Sequence, residues 1–170
     1  MLLTVNVRLH KQNDYLAKQI QVFEAGNAPP LGAHITSIRG KSVEGVPITL
    51  DLGHRQGATL LFITSPLCQF CAKTLPTWKT MTSEIGSDNV VYADTSGSLD
   101  ESYLRNNNLQ DVHNVVRINT VEGLLHGLRV TPTTILLDKT GAVQASWAGL
   151  MDSTKVREFE RAFTVNAQGK

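Results

Sequence analysis

The chain has 170 residues, 41% hydrophobic and 18% charged, and its 16 basic and 15 acidic side chains leave a formal net charge of +1. That is enough apolar material for one packed domain and too hydrophobic a balance for a disordered chain. The near-neutral charge gives no electrostatic basis for binding nucleic acid or an anionic membrane, and no apolar run is long enough to span a bilayer.

Leu2, Leu9, Leu16 and Phe23 are spaced by seven, with Val5 between them, while Gln12 and Gln19 interrupt the pattern. This predicts a helix over residues 2–23 with a narrow apolar stripe, ended by Gly26 and Pro29-Pro30. Residues 1–27 are therefore expected to form an N-terminal helical extension, and residues 28–170 the main domain. The stripe suits packing on the chain's own domain, a partner contact, or the stump of a membrane anchor. The first ten residues lack the basic start and apolar run of a signal peptide. The expectation is either a cytoplasmic protein or a chain whose anchor has been removed.

Residues 33–50 carry Ile35, Ile38, Val43, Val46, Ile48 and Leu50 around Gly40 and Gly45, which predicts short strands and turns. Ala58–Thr64 is a continuous apolar run of strand length, as expected of a strand buried on both faces. Ser65-Pro66-Leu67 turns the chain. From Cys68 onward Ala72, Leu75, Trp78, Met81 and Ile85 recur at three or four, which is helical, and Gly86 stops the helix. Val90–Ala93 reads as a second buried strand. Leu99–Leu104 and Val121–Leu128 read as helical turns. Thr133–Leu137 is a strand, Asp138-Lys139-Thr140-Gly141 a turn, and Ala142–Trp147 a final strand. Asp152 or Ser153 caps a last helix with Val156, Phe159 and Phe163 inward. The succession of strands and helices predicts an α/β layer fold: a central mixed β-sheet flanked by helices.

Both cysteines lie in one C-x-x-C, Cys68-Gln69-Phe70-Cys71. Cys68 falls where a buried strand hands over to a helix. Unpaired N–H groups there stabilise a thiolate, so its pKa is expected below the free value of about 8.5. Cys71 follows one turn later on the same face and is placed to attack a mixed disulfide held on Cys68. A zinc site would need about four ligands. The histidines (His10, His34, His54, His113 and His126) form no pair with ligand spacing, so neither a metal nor a cofactor is expected. Pro76 lies inside the predicted helix, and Thr131-Pro132-Thr133 precedes a strand, where a cis X–Pro bond would turn a backbone edge outward.

These segments resemble the thioredoxin-like superfamily. Phe62–Cys71 is similar to its active-site segment. Pro76 matches its helix-kinking proline, Val130–Gly141 its cis-proline segment and hairpin, and Gly149 a glycine that commonly follows. The resemblance implies catalytic Cys68 and Cys71, a structural Pro76, and a substrate contact surface at Leu67, Gln69, Phe70, Thr131 and Pro132. The long segment Ser96–Leu128, read as an insertion before the cis-proline, and the leader Ala28–Ala33 are more like the TlpA/ResA branch, which includes the cytochrome c maturation thioredoxins and is similar to MauD. That branch implies a periplasmic or extracytoplasmic, membrane-tethered protein that exchanges disulfides with a protein substrate and an upstream redox partner during protein maturation.

The pattern departs from the family at three places. Phe62 stands where thioredoxins carry a buried acid, Thr74 where the ResA-like branch often places a glutamate, and Leu67 where tryptophan is common. The usual proton acceptor for the resolving thiol is absent at both expected positions, leaving Glu84, Asp88 and Asp94 as candidates by composition. A second reading is a thioredoxin-fold binding or scaffold module with incidental cysteines. A peroxidase is disfavoured because Thr64 stands four residues before Cys68 rather than three.

Overall fold

The computed structural model describes residues 28–118 and 130–168, together with residues 9, 10, 12, 13 and 15. These last five are helical and exposed. The rest of the expected N-terminal extension, and the expected helix at Val121–Leu128, lie outside the described residues.

The elements run in the order β1 (Ser37–Lys41), β2 (Pro47–Asp51), β3 (Thr59–Thr64), α1 (Gln69–Ile85), β4 (Val90–Asp94), α2 (Glu101–Asn106), β5 (Val115–Arg117), β6 (Thr133–Leu137), β7 (Val143–Ala148) and α3 (Ser153–Gln168). They build a seven-stranded sheet in the order β2-β1-β5-β4-β3-β6-β7. β3 pairs parallel with β4 and antiparallel with β6, and every residue of it is buried. Such double-sided burial is why the run Thr59–Thr64 reads as continuously apolar rather than alternating.

The pleat divides that run between two cores. Leu60 and Phe62 face Leu75, Trp78 and Met81 of α1 and Phe159 of α3. Leu61 and Ile63 face the other way and pack with Ile35, Ile38, Leu52, Val91 and Ile135. α1 carries Pro76 in its interior, as expected, and ends at Gly86, whose positive φ of 89° suits glycine and whose N–H donates to the Thr82 carbonyl at 2.8 Å. Asp152 caps α3, its Oδ1 accepting from the N–H groups of Thr154 and Lys155 at 2.9 and 3.0 Å.

One strand was not expected. Val115–Arg117 lies inside the segment read as an insertion and adds to the sheet as β5, parallel to β4 with Tyr92 opposite Val115. Its free side receives the N-terminal hairpin through Lys41 opposite Arg117. The insertion thus supplies a structural strand as well as the short helix α2. Among the described residues, no helix is long and apolar enough to cross a membrane.

Candidate active site

The carboxyl end of β3 sets the site. Ser65 begins the turn after it: its carbonyl accepts from the Cys68 N–H at 3.0 Å, and its hydroxyl accepts from the Leu67 N–H at 3.2 Å. Both bonds aim the chain into α1 with Cys68 as the N-cap residue, and the Cys68 Sγ accepts from the Cys71 N–H at 3.4 Å. A sulfur in this position meets the partial positive charge of the helix start. On its other side the Cys68 thiol donates to the Thr131 carbonyl at 3.4 Å. The following peptide, Thr131–Pro132, is cis. Gly149 just past β7 donates to the Pro132 carbonyl at 2.7 Å, anchoring this loop to the sheet.

The two thiols sit in different surroundings. Cys68 is partly exposed, while Cys71 is 1% exposed. Burial alone would raise the Cys68 pKa, but hydrogen bonding with Thr131, with the Cys71 thiol and with the Cys71 and Phe70 N–H groups outweighs it, and the net shift is downward. Burial is also the leading influence on Cys71. Its neighbour Cys68 adds to it, hydrogen bonds from the Ser65 N–H and the Thr64 side chain oppose it, and the pKa is pushed up to about 11. Of the two, the Cys68 thiol is the one whose exposure and lowered pKa suit it to act as a nucleophile.

Among the residues expected at the surface, Leu67, Gln69 and Phe70 are exposed and Thr131 is half-buried beside Cys68, whereas Pro132 is buried. Leu67 is 79% and Phe70 46% exposed, unusual for large apolar side chains, and the Lys73 ammonium lies 5.6 Å from the Phe70 ring centre. Leu150, next to the Gly149 anchor, is 40% exposed. Phe62 is fully buried and stacks on Trp78 with ring centres 4.6 Å apart. Thr74 is buried with a hydroxyl that has no hydrogen-bond partner among the described residues.

Of the three acids put forward by composition, Glu84 and Asp88 are exposed. Asp94 is fully buried at the end of β4, in register with Thr64. Its carboxylate is engaged in shaping the next loop: Oδ1 accepts from the Ser96 N–H and hydroxyl at 2.8 and 2.7 Å, and Oδ2 from the Leu99 N–H at 2.8 Å. Two residues of the site carried no signal in the sequence. Thr64, at the end of β3, has a side chain near enough to the Cys71 thiol to oppose the rise in its pKa, and Tyr103 of α2 lies close enough to Cys71, Asp94 and Cys68 that their charges add to the effect of burial in raising its phenol pKa. The cleft of about 710 Å³ between the leader, β7 and α3 is lined by neither cysteine. The dithiol instead opens onto an apolar surface.

A β3–α1 junction carrying C-x-x-C, faced by a cis-proline loop on a mixed sheet, is the arrangement of a thioredoxin-like fold, and the chain has that fold. No protein-family model matches the chain. Among curated proteins it is similar to the methylamine utilization protein MauD of Methylobacillus flagellatus, with 29% identity over 120 residues, 70% of this chain and 58% of MauD. The chain therefore spans little more than half the length of that relative. Two crystal structures share the fold. A thiol:disulfide interchange protein of the thioredoxin family from Chlorobium tepidum aligns with a TM-score of 0.56 at 17% identity, covering 81% of this chain and 98% of the other. StoA from Bacillus subtilis aligns with a TM-score of 0.51 at 21% identity, covering 78% and 99%. The likeness to MauD and the shared fold agree with the resemblance to the TlpA/ResA/MauD-like branch read from the sequence.

Proposed function

We propose that this chain is a thiol–disulfide oxidoreductase that exchanges disulfides with a protein substrate through Cys68 and Cys71. The observation that carries the reading is the asymmetry of the pair. Cys68 is accessible, caps α1 and touches Thr131, while Cys71 is buried one turn behind it. Cys68 attacks a substrate disulfide, or is attacked by a substrate thiol, and forms a mixed disulfide. Cys71 then displaces the substrate. The apolar surface around Cys68 and the absence of both cysteines from the 710 Å³ cleft favour an extended polypeptide over a small molecule. Thr131 beside the sulfur is the group placed to hold such a chain.

The setting we propose is extracytoplasmic protein maturation, with an upstream redox partner that resets the dithiol. Its support is the likeness to MauD and to the interchange proteins of the same fold. The test is turnover of a synthetic disulfide-bridged peptide by the reduced protein. Cys68→Ala is expected to abolish it, while Cys71→Ala is expected to trap the peptide covalently on Cys68. Full activity in Cys68→Ala would overturn the assignment, and a wild-type protein with no turnover would leave the binding-module reading.

A further inference from the structure

The surface around Cys68 is apolar, and it carries one charge. Three segments meet there: residues 65–73, residues 130–132 and residues 149–150. The Cys68 thiol donates to the Thr131 carbonyl at 3.4 Å, and the Gly149 N–H to the Pro132 carbonyl at 2.7 Å. The cis-proline loop is thus tied to the start of α1 on one side and to the end of β7 on the other. Leu67, Phe70 and Leu150 are the large apolar side chains that these segments expose. Among their residues, all described, Lys73 is the one charged side chain. The first turn of α1 holds no acid, and none occurs in the sequence between Asp51 and Glu84. Asp152, two residues after Leu150, is committed to capping α3 through the Thr154 and Lys155 N–H groups.

Lys73 is exposed, but its ammonium has a fixed neighbour. It follows Phe70 at the i,i+3 spacing that puts two side chains on one face of a helix, and its Nζ stands 5.6 Å from the centre of the Phe70 ring. That is within the range at which a cation is attracted to an aromatic face. A lysine held in this way has already lost part of the side-chain freedom that forming a surface ion pair costs. Lys73 is also two residues beyond Cys71, so its charge stands on the part of α1 that carries the dithiol. Among the described residues no carboxylate lies within ion-pair distance of it. The positive charge is left for a ligand to neutralise.

We propose that Lys73 is a specificity-determining residue: it selects substrate segments that carry a carboxylate beside the reacting cysteine, while apolar side chains of the same segment pack on Leu67 and Phe70. The inference rests on the dithiol reading above and names the substrate class that it leaves open, an extended polypeptide whose cysteine has acidic and apolar neighbours. The ion pair forms before any bond changes, so it acts on encounter and binding rather than on the exchange itself. A basic residue in the same place meets the ammonium at like charge and is disfavoured.

The experiment offers limiting reduced protein an equimolar mixture of two synthetic disulfide-bridged peptides. They share one apolar sequence and differ by an aspartate or a lysine next to a cysteine. Acid quenching at early times and mass spectrometry give the ratio of the two reduced peptides, which is the ratio of their specificity constants. Division by the ratio that dithiothreitol gives on the same mixture removes the intrinsic reactivity of the peptides. Only active molecules contribute, so partial misfolding of a variant leaves the ratio unchanged. The wild type is expected to favour the acidic peptide by about fivefold at low salt, the size of an exposed charge pair. The preference is expected to fade at about 0.5 M salt, where exposed charges are screened over a few ångströms. Lys73→Met is expected to abolish it, and Lys73→Glu to invert it in favour of the basic peptide. Lys79→Glu, the same charge change further along α1, is expected to keep the wild-type preference. A wild type without preference at low salt, a preference for the acidic peptide that survives in Lys73→Glu, or an equal inversion in Lys79→Glu would each overturn the proposal. A wild type that reduces neither peptide would remove the dithiol reading itself, a result distinct from any of these.

Discussion

Cys68 and Cys71 are three residues apart, yet their environments push them in opposite directions. The buried Cys71 is raised from 9.0 to about 11 and the accessible Cys68 is lowered. Alkylation separates them directly. With iodoacetamide, Cys68 is expected to react at lower pH than an ordinary cysteine, while Cys71 in a Cys68→Ala protein is expected to react only at higher pH than an ordinary cysteine, because burial, its leading influence, remains when Cys68 is removed. Equal rates at the two sulfurs in the folded protein would contradict the asymmetry. The same shifts act on stability with opposite signs. Cys71 binds its proton more tightly when folded, so its contribution is complete below pH 9 and is lost as pH rises towards 11. Cys68, lowered on folding, contributes above its ordinary pKa and loses that contribution as pH falls through its folded value. At this scale much was legible: the pair, its place where a buried strand hands over to a helix, and the identities of Phe62 and Thr74 all follow from residue identity and spacing. Thr64 was not legible. A threonine ending a buried strand is ordinary, and its nearness to Cys71 comes only from β3 ending where α1 begins.

α1 joins this chemistry to the core. Its first turn carries both cysteines, and its buried face carries Leu75, Trp78 and Met81. Trp78 is held on two sides, by stacking on Phe62 and by its Nε1–H donating to the Thr134 hydroxyl at 2.8 Å on β6. The aromatic group extends to Tyr92 on β4, edge-on to both rings. Thr74 lies on the same buried face of α1, one turn before Trp78. Because its hydroxyl is buried without a partner, its desolvation is uncompensated. Thr74→Val keeps the β-branched shape and removes that cost, so it is expected to stabilise the protein by up to about 1 kcal/mol in urea unfolding. Clear destabilisation would mean that the hydroxyl is bonded in solution. The long elements were readable because α1 and β3 show distinct periods over many residues. β5 was not, since Val115 and Val116 are too few to display a strand period, and what makes them a strand is the open side of β4 beside them.

The molecule as a whole depends on a part of the chain that the site never touches. Ile35 donates its N–H to the Gly141 carbonyl at 2.7 Å at the β6–β7 turn, and β1 then runs on to meet β5 at Lys41 and Arg117. The N-terminal hairpin thus reaches from one side of the sheet to the other. Ile38 within it and Leu52 just after it are fully buried against Leu61, Ile63 and Val91. This makes it part of the core, even though Lys41–Arg117 is its one register pair with β5. Arg117 reinforces the junction, its Nε–H donating to the Ser42 carbonyl at 3.0 Å. Gly40 lies at the tightest point, where a Cβ would stand 2.4 Å from the Arg117 carbonyl oxygen and 2.5 Å from Val116 Cγ2. No flexible side-chain end gives way there, because the nearer atom is backbone. Gly40→Ala is therefore expected to push the hairpin off β5 at a cost of about 1–3 kcal/mol, the range of overpacked cores. If the hairpin belongs to the cooperative core, tryptophan fluorescence from Trp78 and Trp147 and far-ultraviolet circular dichroism should shift together to a lower denaturant midpoint. A fluorescence transition left at its wild-type midpoint while the circular dichroism splits in two would mean instead that the hairpin is a separately melting appendage, and that β3, β4, β6 and β7 hold the dithiol without it.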